Sequence, residues 1–307
     1  MSRLFEALQR SESERSGTPL TQSPPVATQL LQAAEAQGDD FGQCQRLQVS
    51  VSAESRLVSL TAKESLGAEK FRFLGVRLRQ LRQNRPIKKV LVTSSIAEEG
   101  KSLTAANLAL TLARRQQQRV LLLEGDLRRP VLAGQFGLSK LVGVSEALQG
   151  EFSPTRHIYY LEDPKLWFMP AGHPPENPLE LMQSGRLTEL MGRLAAGFDW
   201  IVIDSPPVLP LADTTVWARL ADGVLLVARE GKTERQELKR GVEALGQTNL
   251  LGVVLNSCSD TDHSNYYQRY GPHVAGDAHG LGANGNNSNA SSLSAEDRMT
   301  PPPKIQA

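Results

Sequence analysis

The fold of this chain is set by the stretch KVLVTSSIAEEGKSLTAANLAL, residues 89–110. A short apolar run typical of a buried strand is followed by a loop that ends in Gly100-Lys101-Ser102, and an apolar segment with helical spacing comes next. In this order, a strand, a loop and a helix predict a phosphate-binding site, because loop N–H groups and a helix N-terminus attract anions. The generic motif has glycine where this chain has Ser95, so the loop is a deviant form. In such a loop Lys101 reaches the β- and γ-phosphates of a nucleotide, and the hydroxyl of Ser102 binds Mg²⁺.

Further apolar runs predict the sheet around this loop. Wholly apolar runs lie at 90–92, 120–123, 201–203, 224–227 and 253–255. Runs that are short and apolar at every position favour strands buried on both faces of a parallel sheet. Helical patterns lie between them, at 63–84, 102–118, 178–196 and 234–247. This alternation predicts an α/β fold with a doubly wound, mainly parallel sheet, in which ligands bind at the carboxyl ends of the strands.

Composition divides the chain into three parts. Residues 1–54 are rich in Gln, Ser, Thr and Pro, and residues 259–307 are rich in Gly, Asn and Ser. Such segments bury too little apolar surface to offset their ordering entropy, so both are predicted to be largely disordered. A short amphipathic helix at 2–14 is the expected exception. Residues 55–258 carry the strand and helix patterns and are predicted to form the phosphate-loop domain.

Charge and composition exclude several classes of function. The 34 basic residues nearly balance the 33 acidic ones, and the net charge of +1 argues against a dedicated nucleic-acid binder. The start of the chain lacks the apolar core of a signal peptide. Two distant cysteines form neither a disulfide framework nor a zinc motif. The composition therefore predicts a cytoplasmic protein without structural metal.

Acidic residues follow two of the other predicted strands. Glu124 and Asp126 come directly after the second apolar run, and Asp204 follows the third. Because Glu124 and Asp126 are two residues apart, we expect them to project from the same side of the strand end. The carboxyl ends of parallel strands meet at one edge of a sheet, so all three acids are predicted to lie beside Lys101 and Ser102.

Taken together, these elements resemble the bacterial tyrosine kinases of capsule and exopolysaccharide synthesis. The modified phosphate loop of that family follows a Ser-Ser dipeptide and is matched here by residues 94–102. Its second acidic element is matched by residues 121–128 with one change, and its third by residues 201–206. Glu69-Lys70-Phe71-Arg72 is similar to the helix motif by which these kinases assemble into rings. The resemblance covers about residues 55–275.

The resemblance implies an ATP-dependent protein-tyrosine kinase whose cofactors are ATP and Mg²⁺. It implies nucleotide binding by Ser95, Glu99, Gly100, Lys101, Ser102 and Leu103, with Asn256 as an adenine contact. It implies Mg²⁺ binding by Ser102, Asp126 and Asp204. Lys101 would stabilise charge on the transferred phosphoryl group, and Arg128 would steady the acceptor or the product phosphate. Glu124 and Asp126 would share the orientation of the metal and the acceptance of the tyrosine proton.

A tyrosine cluster follows the last apolar run. The chain has five tyrosines, and Tyr266, Tyr267 and Tyr270 fall close together in a segment poor in apolar residues. In the resembled family such a cluster is the autophosphorylation substrate, and it enters the active site of a neighbouring subunit. Each phosphate adds about −1.5 to −2 charge, which is enough to expel the tail from a site rich in carboxylates.

The resemblance also implies partners. Many members of the family are fused to a membrane chain-length regulator, and this sequence has no apolar run long enough to span a bilayer. We therefore expect a cytoplasmic kinase that a separate chain-length determinant and activator protein recruits to the inner face of the cytoplasmic membrane. A ring-shaped homo-oligomer formed through Glu69 and Arg72, and a phosphotyrosine phosphatase, complete the expected assembly.

Two departures from the family pattern leave alternatives open. Ala97-Glu98 stands where the family has Pro-Gly, and Glu124 stands where it has aspartate. The extra methylene of Glu124 moves its oxygens by more than the tolerance of about 0.5 Å that is usual for catalytic groups. The first alternative is therefore a weak or inactive nucleotide-binding scaffold of the same machinery. The second is a partition ATPase of the Par/Min type, but those proteins have lysine at the position of Ser95 and lack the tyrosine cluster.

Overall fold

A computed structural model describes residues 40–115, 117–150 and 152–258, and it confirms the predicted α/β fold around an eight-stranded sheet. The strands are β1 (Gln45–Leu47), β2 (Lys89–Ser94), β3 (Val120–Glu124), β4 (Tyr159–Leu161), β5 (Leu166–Met169), β6 (Trp200–Asp204), β7 (Gly223–Arg229) and β8 (Leu250–Asn256). Their order is β1-β4-β5-β3-β6-β2-β7-β8. All neighbouring strands run parallel except β4 and β5. The sheet is therefore mainly parallel, as predicted.

Helices cover both faces of this sheet. In the described residues they are α1 (Val58–Thr61), α2 (Leu66–Asn84), α3 (Lys101–Ala113), α4 (Leu132–Gln135), α5 (Val144–Gln149), α6 (Pro154–His157), α7 (Pro178–Gln183), α8 (Gly185–Gly197), α9 (Asp213–Leu220) and α10 (Arg235–Leu245). Of these helices, none combines the length and the apolar character that a membrane crossing requires. Every residue of β3 and β6 is buried, because neighbouring side chains enter separate apolar layers on opposite faces.

The register of the central strands brings the predicted site elements together. Asp204 at the end of β6 is paired with Glu124 on β3 and with Val92 on β2. The ends of these three parallel strands consequently lie side by side, directly before the loop that joins β2 to α3. This is the edge at which ligands bind in folds of this class.

The folded region begins before the boundary that the sequence predicted at residue 55. A 3-10 helix spans Asp40–Gln43, and β1 pairs with β4. Phe41 is buried against Phe198, with ring centroids 4.7 Å apart. The sequence Gln-Arg-Leu of β1 has little apolar character, so its strand conformation depends on pairing that composition does not reveal. The predicted helix at 2–14 and the tail from residue 259 lie outside the described residues.

Other elements differ from the predicted pattern. The helix expected at 178–196 is two helices, α7 and α8, because Ser184 between them has an extended ψ of 139°. The helix expected at 102–118 ends at Ala113. Strands β4 (Tyr-Tyr-Leu) and β5 (Leu-Trp-Phe-Met) were not predicted, since they form a short antiparallel hairpin instead of alternating with helices.

Candidate active site

The loop between β2 and α3 requires the glycine of the sequence motif. Gly100 has a φ of +94°, and a β-carbon at this position would collide with the side-chain amide of Asn256. The carbonyl of Gly100 accepts the N–H of Thr104 at 2.9 Å, so α3 begins directly at the end of the loop. Glycine fits because it adopts the left-handed conformation without strain and has no side chain to meet Asn256.

Glu99 and Asn256 hold the backbone of this loop in place through hydrogen bonds. The buried carboxylate of Glu99 accepts the N–H of Ile96 at 2.9 Å and the hydroxyl proton of Thr233. The side-chain amide of Asn256 donates to the carbonyl of Glu99 at 2.9 Å. Both residues therefore fix the loop backbone, and their direct contact with a nucleotide stays a prediction. Thr233 is a supporting residue that no sequence motif marked.

Ser95 packs beneath the loop. It is fully buried, and its hydroxyl has no hydrogen-bond partner among the described residues. That hydroxyl lies against Gly241 of α10, where a β-carbon would collide with it. The carbonyl of Ser95 accepts the N–H of Leu209 at 3.2 Å. Ser95 thus ties the loop to the segment after β6, and nucleotide binding by Ser95 stays a prediction.

A cavity of about 700 Å³ opens in front of the loop. Its walls are the loop with the start of α3, the segment after β3 and the segment after β6. The lining residues are Ala97, Glu98, Gly100, Lys101, Ser102, Leu103, Asp126, Arg128, Arg129, Val131, Gln135, Pro207, Pro210 and Leu211. The cavity therefore brings together six of the predicted site residues, namely Gly100, Lys101, Ser102, Leu103, Asp126 and Arg128.

Lys101 occupies the base of this cavity between two carboxylates. Its Nζ lies 3.1 Å from Oδ2 of Asp126 and 3.8 Å from Oδ1 of Asp204, and it donates to the hydroxyl of Ser102 at 3.1 Å. Burial favours the neutral amine, but the negative charges of Asp204 and Asp126 outweigh it and raise the pKa of Lys101. The lysine is therefore charged at neutral pH and faces an open space large enough for an anionic ligand.

Asp204 is completely buried, and neither of its oxygens accepts a hydrogen bond from the described residues. Burial raises the pKa of this carboxyl to about 7, although the charge of Lys101 works in the opposite direction. An unsatisfied carboxylate next to the hydroxyl of Ser102 provides the hard oxygen ligands that Mg²⁺ prefers. Asp126 contacts the same ammonium at 3.1 Å, and Mg²⁺ binding by Ser102, Asp126 and Asp204 stays a prediction.

Glu124 does not face the cavity, which contradicts the prediction that it projects with Asp126. Its side chain is buried, and its carboxylate accepts the backbone N–H groups of Val131, Leu132 and Ala171. The alternation rule holds within a strand, but β3 ends at Glu124 and Asp126 lies beyond it. Burial raises the pKa of Glu124, although the three N–H groups favour its charged form. A direct catalytic role for Glu124 is therefore not supported by its position.

Arg128 is held at the rim of the cavity by an acid that the sequence analysis missed. Its guanidinium contacts both carboxylate oxygens of Asp213, from Nε at 2.7 Å and from Nη2 at 3.2 Å. This bidentate ion pair raises the pKa of Arg128 and fixes the plane of its guanidinium. Asp213 begins α9, and an acid in the first turn of a helix is too common to have marked it as a site residue.

Glu98 has a backbone conformation that suits glycine. Its φ is +64°, and its exposed side chain pairs with Lys232 at 2.7 Å, which lowers the pKa of Glu98. We expect Glu98→Gly to raise the Tm by about 2 °C, because glycine relieves the left-handed strain and an exposed ion pair contributes little. Glu98→Ala removes the same charge but keeps the β-carbon, so it should not raise the Tm. Equal Tm values for the two variants in thermal unfolding would contradict this explanation.

The predicted oligomerisation residues lie apart from the cavity. Glu69 and Arg72 are on α2 and form an ion pair with each other, and Arg72 also donates to the carbonyl of Lys63 at 2.8 Å. Phe73 and Val76 of the same helix are exposed. The tyrosines at 266, 267 and 270 lie outside the described residues.

Comparison with known proteins gives a consistent set of relatives. No protein-family model matches the chain. The tyrosine-protein kinase YwqD of Bacillus subtilis is 34% identical over 215 residues, which are 69% of this chain and 90% of YwqD. The putative tyrosine-protein kinase CapB of Staphylococcus aureus is 31% identical over 206 residues, which are 66% of this chain and 90% of CapB.

Two solved structures are also similar. The VpsO kinase domain is 33% identical, with a TM-score of 0.54, and the match covers 64% of this chain and all of that domain. The chimerical protein CapA2B2 is 26% identical, with a TM-score of 0.62, and the match covers 72% of this chain and 97% of the chimera. Sequence and fold therefore point to the same group of proteins.

Proposed function

Because the chain belongs to the bacterial tyrosine-protein kinases, we propose that it transfers the γ-phosphoryl group of ATP to its own tyrosine cluster in trans, and that this reaction regulates capsule or exopolysaccharide production. The observation that carries the chemistry is the charged Lys101, held by Asp126 and Asp204 at the base of an open cavity. Phosphoryl transfer depends mainly on positioning and on the neutralisation of charge. This site supplies both.

ATP binding comes first in the proposed mechanism. The phosphates lie against the loop and the N-terminus of α3, and they draw the ammonium of Lys101 away from Asp126. Asp126 then loses its ion pair with Lys101, and its carboxylate is available on the cavity side of the site. Ser102 and Asp204 would hold Mg²⁺, directly or through water, and the ion would neutralise charge on the β- and γ-phosphates.

The acceptor then enters the cavity from the side opposite the loop. The phenol oxygen forms a bond to the γ-phosphorus, and the bond from that phosphorus to the β,γ-bridging oxygen breaks, which leaves ADP. Asp126 takes the phenol proton, because Glu124 is bound to backbone N–H groups and does not line the cavity, and Asp204 is completely buried. Arg128, fixed by Asp213, steadies the transferred phosphate at the rim.

The proposed assembly follows from the same family. We propose that a membrane chain-length determinant and activator protein recruits the chain to the inner face of the cytoplasmic membrane, and that a phosphotyrosine phosphatase reverses the modification. Ring formation through α2 is supported by the exposed Phe73 and Val76 beside Glu69 and Arg72. In a ring, Glu69 and Arg72 would exchange their present partners for residues of the neighbouring subunit.

A scaffold that binds nucleotide without transfer is the second candidate. The observation that favours it is the strained backbone at Glu98, beside the position of the phosphates. A scaffold would bind ATP as tightly as a kinase does but would leave every tyrosine of the tail unmodified.

Phosphosite mapping by mass spectrometry tests the proposal. After incubation of the full chain with Mg·ATP, we expect phosphate on Tyr266, Tyr267 or Tyr270. For the test of transfer in trans, a chain with all three tail tyrosines changed to Phe is mixed with a Lys101→Ala chain. Phosphate on the Lys101→Ala chain, which cannot modify itself, would establish transfer between chains. An unmodified tail with ATP bound, with and without a membrane-partner fragment, would favour the scaffold.

A further inference from the structure

The bonds of Glu124 tie two separate segments to the end of β3. Its Oε1 accepts the N–H of Val131 and the N–H of Leu132, both at 2.6 Å, and its Oε2 accepts the N–H of Ala171 at 3.1 Å. The side chain is 1% exposed, so water does not compete for these bonds. A carboxylate that accepts three backbone N–H groups makes strong, charge-assisted bonds and fixes the position of each segment.

One of these segments is a wall of the cavity. Val131 lines the cavity and is 43% exposed, and Gln135 lines it one helical turn later, on α4. In the proposed mechanism this wall borders the side on which the acceptor tyrosine enters the cavity. The position of Val131 therefore depends directly on Glu124.

The other segment links the wall to the rest of the domain. The N–H of Val144 donates to the carbonyl of Pro170 at 2.9 Å, and the N–H of Ser145 donates to the carbonyl of Ala171 at 2.9 Å. Through Ala171, Glu124 thus connects the end of β3 to the start of α5. Such a connection makes the wall part of the rigid sheet edge and not a free loop.

We infer that Glu124 is a positioning residue, which sets the acceptor wall of the cavity through the amides of Val131 and Leu132 and does not itself exchange a proton with the substrate. The inference rests on the proposed kinase activity. It also accounts for the departure from the family pattern, because the extra methylene is what allows this carboxylate to reach the amides. An aspartate at this position is shorter by one bond of about 1.5 Å and would lose them.

Two substitutions of Glu124 distinguish a positioning role from a proton-transfer role. The two roles predict opposite orders for the activities of Glu124→Gln and Glu124→Asp. Glu124→Gln keeps the length and an oxygen for Val131 and Leu132, but it cannot act as a base. Glu124→Asp keeps the charge but cannot reach the amides. Under the inference, Glu124→Gln keeps kcat within about threefold and raises the KM for the acceptor about threefold, whereas Glu124→Asp raises that KM about tenfold or more.

The experiment measures kcat and KM at saturating Mg·ATP, with full-length protein and a peptide of residues 259–272 or a Glu-Tyr copolymer as acceptor. Glu146→Gln is the matched control. Glu146 accepts the N–H groups of Gly143 and His173 beside the same loop but does not touch the wall. It should leave the acceptor KM within about twofold. Asp126→Asn should instead lower kcat about a hundredfold, with little change in the acceptor KM.

Hydrogen exchange of the backbone amides tests the inference without any activity. The amides of Val131 and Leu132 should exchange faster in Glu124→Asp than in Glu124→Gln, and this holds even if the wild type transfers phosphate to no acceptor. In that case the proposed function fails while the positioning role stands. A Glu124→Gln chain with a hundredfold loss of kcat and unchanged exchange, beside an active Glu124→Asp chain, would overturn the inference.

Discussion

Replacement of Lys101 by alanine is expected to lower tyrosine phosphorylation about a thousandfold. The Nζ of Lys101 is the cation at the base of the cavity, and both Asp126 and Asp204 lie within 4 Å of it, at 3.1 and 3.8 Å. Without the ammonium, the negative charge of these carboxylates opposes the phosphates, and the cation beside the developing charge of the transferred group is lost. Quantitative phosphosite analysis of the full-length chain measures the loss.

A second lysine provides the control. Lys239 on α10 pairs with Glu243 at 3.9 Å on an exposed surface and does not line the cavity. We expect Lys239→Ala to phosphorylate its tail within about twofold of the wild type. Binding of a fluorescent ATP analogue should be weakened by Lys101→Ala and unchanged by Lys239→Ala. Tail phosphorylation that persisted in Lys101→Ala would show that the phosphates lie elsewhere and would reject the mechanism.

The sequence could predict those parts of the site that depend on local patterns. The loop from Ser94 to Ser102 lies between a strand and a helix, and Asp204 ends a buried strand, so their positions follow from periodicity and strand direction. The parallel register of β2, β3 and β6 then brings Lys101 and Asp204 together. No long-range information beyond the fold class is needed for this part.

Other features depend on single turns or on distant partners. Glu124 does not line the cavity with Asp126, because β3 ends at Glu124 and its carboxylate binds backbone N–H groups of two distant segments. Asp213 contacts Arg128 across 85 positions of sequence, and no spacing rule connects them. Tertiary packing decided these contacts, so periodicity within a strand could not predict them.

The second large effect concerns Asp204, whose replacement by asparagine should raise stability and lower activity. Its folded pKa is about 7, above the ordinary value of 3.8, because burial disfavours the charged form. The folded chain thus holds a proton that the unfolded chain releases near pH 4. The contribution of this protonated carboxyl to the stability of the folded chain is fully present below about pH 4. It falls as the pH rises and is lost above about pH 7. We expect Asp204→Asn to be about 2 kcal/mol more stable than the wild type at pH 8, a difference that shrinks toward pH 5.

Urea unfolding at pH 5.5 and pH 8, with EDTA and without nucleotide, measures this difference. The exposed Asp163, in the turn between β4 and β5, provides the control, since Asp163→Asn makes the same chemical change at a side chain that is not buried. The same Asp204→Asn chain should lose tyrosine phosphorylation about a hundredfold, because the amide cannot hold Mg²⁺ as a carboxylate does. A gain in stability with a loss of activity is the pattern expected of a carboxylate that is kept buried for catalysis. A loss of stability at pH 8 would mean that the charge of Asp204 stabilises Lys101 by more than its own burial costs.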